Sequence, residues 1–133
     1  MIKLSIIHNT DKEDAIKIYK ELLKYLKAKK EFEVLDDKNI SQAEYIVVIG
    51  GDGTLLRGFK KIKDKKVKII AINSGTLGYL TEIRKDGYKE IFENILKGKV
   101  NIEERYFFTV KIGKKKYNAL NEVFLTKDNS IIT

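Results

Sequence analysis

The sequence predicts an α/β fold: a Rossmann-like parallel sheet with flanking helices, followed by the start of an antiparallel β domain. Three observations predict it. Short apolar runs alternate with amphipathic, helix-length segments as far as about Val100. A glycine-rich turn follows directly on one of the most apolar of those runs. Beyond Val100 the helical period stops, and two β-like segments flank Gly113-Lys114. The expected division is an α/β domain over 1–99 and the beginning of a β-rich domain, incomplete, over 100–133.

Each element has its own warrant. Ile2 to Ile7 is an apolar run of strand length. Thr10 and Glu13 have capping-box spacing, so a helix follows, with Ala15, Ile16, Tyr19, Leu22, Leu23 and Leu26 on one face. Its basic end, Lys27-Ala28-Lys29-Lys30, complements the helix dipole. Phe32 to Leu35 reads as a shorter strand nearer an edge. Tyr45 to Ile49 is nearly all apolar, as in a strand covered on both faces. A helix from about Thr54 to Ile62, a buried strand over Val67 to Ile72 and a Gly-containing turn over Asn73 to Leu80 come next. Asp86 is the expected cap of a helix through Tyr88, Ile91, Phe92, Ile95 and Leu96, which Gly98 stops. Strands alternating with helices imply a parallel sheet. Arg105 to Ile112 and Lys116 to Thr126 read as strands of a hairpin turning at Gly113-Lys114. So few strands without a covering layer make a poor independent domain. The expectation is that further chain, or a second chain, completes them.

Composition narrows the function classes. The chain has 133 residues, 43% of them hydrophobic, which is enough for a packed core and argues against disorder. The charge is 27 − 19 = +8, which suits anionic partners: nucleotides, polyphosphate or nucleic acid. The Lys runs at Lys27 to Lys30, Lys63 to Lys66 and Lys114 to Lys116 read as solvated faces or turns. The basic residues are dispersed and form no nucleic-acid-binding motif, so no nucleic-acid partner is expected. Without Cys there are no disulfides or thiolate zinc sites, and the lone His8 cannot build a His-rich metal site. No apolar run approaches the ~18 residues of a membrane helix. A soluble, cytoplasmic protein with no membrane partner is the expectation.

Three segments carry chemistry. Gly50-Gly51-Asp52-Gly53-Thr54 follows a buried strand, and ligands of open α/β sheets bind at the carboxyl ends of strands. Its glycines let a backbone approach a ligand closely, and the amides at the following helix N-terminus suit phosphate oxygens. Thr54 either caps the helix or donates to a phosphate. Asp52, the single carboxylate inside the loop, suits a base or a magnesium-associated acid. The plainer alternative is a tight turn with Asp52 as N-cap. The loop is neither a Walker loop nor GxGxxG. The second segment, Asn73-Ser74-Gly75-Thr76-Leu77-Gly78-Tyr79-Leu80, follows the next buried strand. If those two strands are neighbours, both turns line one cleft. Asn73 would orient a hydroxyl or the turn, and Tyr79 offers an aromatic face for a base, with a core role as the alternative. The third is Asn121-Glu122 inside the apolar run Leu120 to Leu125, a polar pair that needs partners if buried; a ligand would supply them, and a strand break or edge is the plainer alternative.

In this order GGDGT, NSGTLGYL and Asn-Glu resemble the NAD kinase family. Glu104-Arg105 is similar to a Glu-Arg pair of that family. GGDGT alone also resembles diacylglycerol and sphingosine kinases and, more loosely, phosphofructokinases. The resemblance covers Ile2 to about Thr126. It implies transfer of a phosphoryl group from ATP or polyphosphate to the 2′-hydroxyl of NAD's adenosine ribose, giving NADP, with a divalent metal ion, Mg2+, as cofactor. It also implies an α/β nucleotide-binding domain, a β domain beside it and a homo-oligomer, a dimer or tetramer. Asp52 matches the catalytic aspartate. Gly51, Gly53 and Thr54 would face phosphate or ribose, and Arg57, one helical turn on, would neutralise phosphate charge, with surface packing as the alternative. Asn73, Gly75 and Tyr79 match positions near the nucleotide, and Asn121 and Glu122 match the pair that bonds the NAD ribose. The family's remaining adenosine-binding residues would follow Thr133. The alternatives are a lipid kinase with the GGDGT loop and a non-catalytic, regulatory nucleotide-binding module.

Overall fold

The structure, a computed structural model, describes residues 1–62, 66–74, 83–84, 87–100, 102, 108–119, 124–125 and 131–132. The chain divides into two compact units, Met1–Val100 and Asn101–Thr133.

The first unit is a parallel sheet between helices, the predicted class. β1 (Ile2–His8) lies between β2 (Phe32–Leu35) and β3 (Tyr45–Gly50). β4 (Lys68–Asn73) follows, then the two-residue β5 (Ile83–Arg84). Every pairing is parallel. Side chains alternate across a strand, so the sheet has two apolar faces. On one, Leu4, Val47, Ile49 and Ile72 pack under α1 (Glu13–Lys27) and α3 (Tyr88–Leu96). On the other, Ile46 and Val48 pack under Leu55 of α2 (Asp52–Lys60). Ile46 to Ile49 are all buried, as a strand covered on both faces requires.

The helix starts differ from the expected ones. Lys12, not Thr10, precedes α1, and no side chain caps it. Asn9 explains the shift: its Oδ1 accepts from the Asp11 amide at 2.9 Å, an Asx turn that delays the helix. Glu13 and Asp14 still sit favourably in the first turn. The buried line of α1 is Ala15, Ile18, Leu22 and Leu26. At about 100° per residue, Ile16 and Leu23 fall well to one side of that line and are half-buried. Ile18, which the sequence reading left off the face, is buried on the other flank. α3 starts after Gly87, not Asp86, which lies outside the described residues. Gly98 stops it as predicted. At φ +68 its amide donates to the Ile95 carbonyl (3.2 Å) and the Lys99 amide to that of Asn94 (2.9 Å), the paired bonds of a Schellman cap.

α1 and α3 also meet through polar groups. The Tyr25 hydroxyl donates to Glu93, and Lys29 Nζ lies 2.8 Å from the same carboxylate. The Lys29 and Tyr25 hydrogen bonds hold the Glu93 carboxyl below its usual pKa. This pair is partly open to solvent, which screens it, so packing more than charge joins the helices.

Ser5 of β1 is fully buried, and its hydroxyl has no hydrogen-bond partner among the described residues. An unpaired buried hydroxyl costs desolvation without return. Ser5→Ala therefore leaves the unfolding free energy unchanged or raises it by about 1 kcal/mol. Urea denaturation measures it, and a clear loss of stability would show that the hydroxyl has a partner.

The second unit contains the predicted hairpin. β6 (Phe108–Ile112) pairs antiparallel with β7 (Lys115–Ala119). Gly113, at φ +59, turns the chain, as the Gly-Lys pair predicts. The strands are shorter than Arg105 to Ile112 and Lys116 to Thr126, whose outer residues 105–107, 120–123 and 126 lie outside the described ones. β8 (Phe124–Leu125) pairs antiparallel with β9 (Ile131–Ile132). Among the described residues no helix is long and apolar enough to cross a membrane.

Candidate active site

The strand order 2-1-3-4-5 places β2 and β3 on opposite sides of β1. Connections therefore leave the carboxyl ends of β1 and β3 in opposite directions. This opens a crevice at the topological switch point, where open α/β sheets bind ligands. β1 ends there at His8, paired with Ile49, and the Asn9 amide donates to the Ile49 carbonyl at 3.0 Å. The Gly50–Thr54 loop occupies the other lip.

The chain passes from β3 to α2 with almost no linker. Gly51 is the N-cap, and Asp52 is the first helical residue, two positions earlier than expected. The cap is thus neither Asp52 nor Thr54. The first amides of a helix have no intrahelical acceptor and point out of its end. Here that end faces the crevice lip, with the positive pole of the helix dipole. Asp52 is half-buried within it. A Cβ added to Gly51 or Gly53 would meet nothing within 4 Å, so these glycines border open space. Thr54 is only 3% exposed, and its Oγ1 accepts from Arg57 Nη2 at 3.4 Å. Arg57 is itself exposed on the next turn.

The second turn leaves the neighbouring strand. Gly50 of β3 pairs with Asn73 of β4, and the Ser74 amide donates to the Gly50 carbonyl at 3.3 Å. Asn73 is buried at this junction. The structure so brings Gly51, Asp52, Gly53, Thr54, Arg57 and Asn73 to one rim. Gly75, Tyr79, Asn121 and Glu122 lie outside the described residues.

Sequence reasoning weighed His8 only as a metal ligand and did not place it or Asn9 at the crevice. The His8 ring stacks on Tyr19 of α1, centroids 4.0 Å apart and planes 8° from parallel. Burial lowers its pKa below the ordinary value. The available signal was two polar residues ending an apolar strand just before a helix. Among the described residues no group of three or more His, Asp or Glu side chains is placed to hold a metal ion.

Comparison with known proteins gives a consistent set. The model of the ATP-NAD kinase N-terminal domain matches residues 35–100. A protein of Fusobacterium nucleatum subsp. nucleatum named NAD kinase is 96% identical over 129 residues, covering 97% of this chain and 48% of that protein. A bifunctional NADP phosphatase/NAD kinase of Methanocaldococcus jannaschii is 38% identical over 143 residues, covering 96% of this chain and 25% of its own length. The chain thus spans about half the length, or less, of these relatives. Yeast NADH kinase, solved in complex with NADH, superposes with a TM-score of 0.79 at 16% identity, over 98% of this chain and 47% of that one; this likeness shows the fold. An NAD kinase from Archaeoglobus fulgidus, solved in complex with ATP, has a TM-score of 0.54 at 28% identity, over 81% of this chain and 41% of its own.

Proposed function

The chain belongs to the NAD kinase family, and from that membership we propose that the protein phosphorylates the 2′-hydroxyl of NAD's adenosine ribose to give NADP. The observation that carries the reading is Asp52 at the first turn of α2, on the lip of the switch-point crevice. ATP or polyphosphate is the donor. The ribose oxygen bonds to the terminal phosphorus as the bond from that phosphorus to the bridging oxygen breaks. The leaving phosphate, ADP when ATP is the donor, departs with the electron pair. The hydroxyl proton passes to Asp52 and then to water.

The chain's own part is positioning, because phosphoryl transfer has a loose transition state with little covalent chemistry for a protein to do. Asp52 orients the hydroxyl. The amides at the start of α2 and the open faces of Gly51 and Gly53 receive phosphate oxygens. Arg57 supplies positive charge one helical turn on. Asn73 holds the junction of the two turns, Gly75 and Tyr79 border the nucleotide, and Asn121 and Glu122 bond the NAD ribose. Members of this family use a divalent metal ion. Among the described residues no group of three or more acidic or imidazole side chains is placed to hold a metal ion, so a divalent ion would enter with the donor's phosphates. When bound it neutralises phosphate charge. A homo-oligomer in the cytoplasm completes the reading.

The test is NADP formation from NAD, Mg2+ and ATP or polyphosphate, with calorimetric binding of NAD beside it. Turnover is the expected result. Binding without turnover would favour a regulatory module, and neither would sink the assignment of activity.

A further inference from the structure

We propose that Thr54 is a positioning residue, a latch that holds the Gly50–Thr54 loop closed and so sets Asp52, and that it is not a phosphate ligand. The proposal rests on the kinase reading above for its activity readout only.

Gly50 has φ +157, and a Cβ built on it would fall 2.5 Å from Thr54 Oγ1, 2.8 Å from its Cβ and 3.2 Å from its Cγ2. The Thr54 side chain therefore fills the space that any side chain at position 50 would need. It is folded back against the end of β3, beneath the loop. At 3% exposure it presents almost nothing to a ligand, unlike Gly51 and Gly53, which border open space. On the other side of Gly50 its carbonyl accepts from the Ser74 amide, while the Arg57 contact to the Thr54 hydroxyl, at 3.4 Å, is too long to carry the latch. One chain of contacts so ties α2, the loop and the second turn. Asp52 lies midway between Gly50 and Thr54, two residues from each. Pinning both ends fixes the backbone that carries its carboxylate. Glycine at position 50 then follows from its φ of +157 and from the shape of residue 54.

Shape and hydroxyl are separable. Thr54→Val keeps the branched shape and removes the hydroxyl; Thr54→Ser keeps the hydroxyl but loses the methyl, 3.2 Å from the Cβ position of Gly50, and with it the β-branching that fixes χ1. Steady-state kinetics of the intact protein should show Val within about threefold of the parent kcat and Ser lower by on the order of tenfold, both with unchanged KM for donor and NAD. A phosphate ligand predicts the reverse order, with a raised donor KM in Val. A second readout does not depend on activity. Amide hydrogen exchange at Asp52 and Gly53 should quicken in Thr54→Ser and stay at the parent rate in Thr54→Val. If the unmodified protein makes no NADP, the kinase reading fails and exchange alone decides the latch. Any order other than Val closer to the parent than Ser overturns it.

Discussion

Asp52→Asn lowers NADP formation by roughly 10²- to 10⁴-fold and leaves NAD binding within about threefold. The substitution removes a proton acceptor and keeps the shape. Asn tolerates the first turn of a helix, so α2 still starts at its place after Gly51. The structural cost is the loss of one negative charge at a helix N-terminus, about 0.3–1 kcal/mol. A loss of turnover far larger than that, with unchanged affinity, belongs to the chemical step. Steady-state rates and NAD calorimetry on the same preparation separate the two. Near-parent turnover would remove Asp52 from the mechanism. A collapse of NAD affinity would recast it as a binding residue.

The largest stability effect is expected at Phe92. Among the described residues its side chain heads the fully buried ones by volume. Its ring stands perpendicular to that of Phe32 at 5.9 Å and tilted against that of Tyr25 at 6.4 Å. It therefore joins α3 to β2 and to α1 at one point. Phe92→Ala should cost about 3–5 kcal/mol, from lost burial and the cavity left behind. That is a large part of the ~5–15 kcal/mol of an ordinary domain. Phe92→Leu should cost markedly less, because it keeps most of the volume. Chemical denaturation measures both. A loss below about 1 kcal/mol for Ala would mean that α3 is not part of the core.

Much of this fold was legible in local pattern. The first four strands fall within one or two residues of the apolar runs, since strands packed under helices draw on apolar residues. Gly98 and Gly113 stop a helix and turn a hairpin as expected, because a positive φ is a demand that one residue type meets cheaply. The start of α1 was misread. Thr10 and Glu13 have the right spacing, but Asn9 competes for the same stretch of backbone. The centre of its buried face was also shifted, because burial is decided by the strands beneath it and not by the helix alone. In the site, the motif spacing located the two glycine-rich turns. Their adjacency depends on the pairing of Gly50 with Asn73, a long-range register that no local period encodes. The same holds for His8. Its position at the crevice follows from strand order, and Tyr19, its stacking partner, is eleven residues on.

The strand order has a further consequence, for behaviour at high concentration. β2 forms one margin of the sheet and is only four residues long, with Glu33 inside it. A short margin carrying charge is a poor template for cross-β growth. Immediately beyond it the chain turns into a short 3-10 helix, Asp37–Gln42, where Asp36 accepts from the Asn39 amide. The segment best suited to such growth, Ile46-Val47-Val48-Ile49, lies in an interior strand, paired on both sides and buried on both faces. On the β2 side, fibril-like association therefore has to wait for the sheet to open, and its rate should follow the unfolding equilibrium rather than encounters between native molecules.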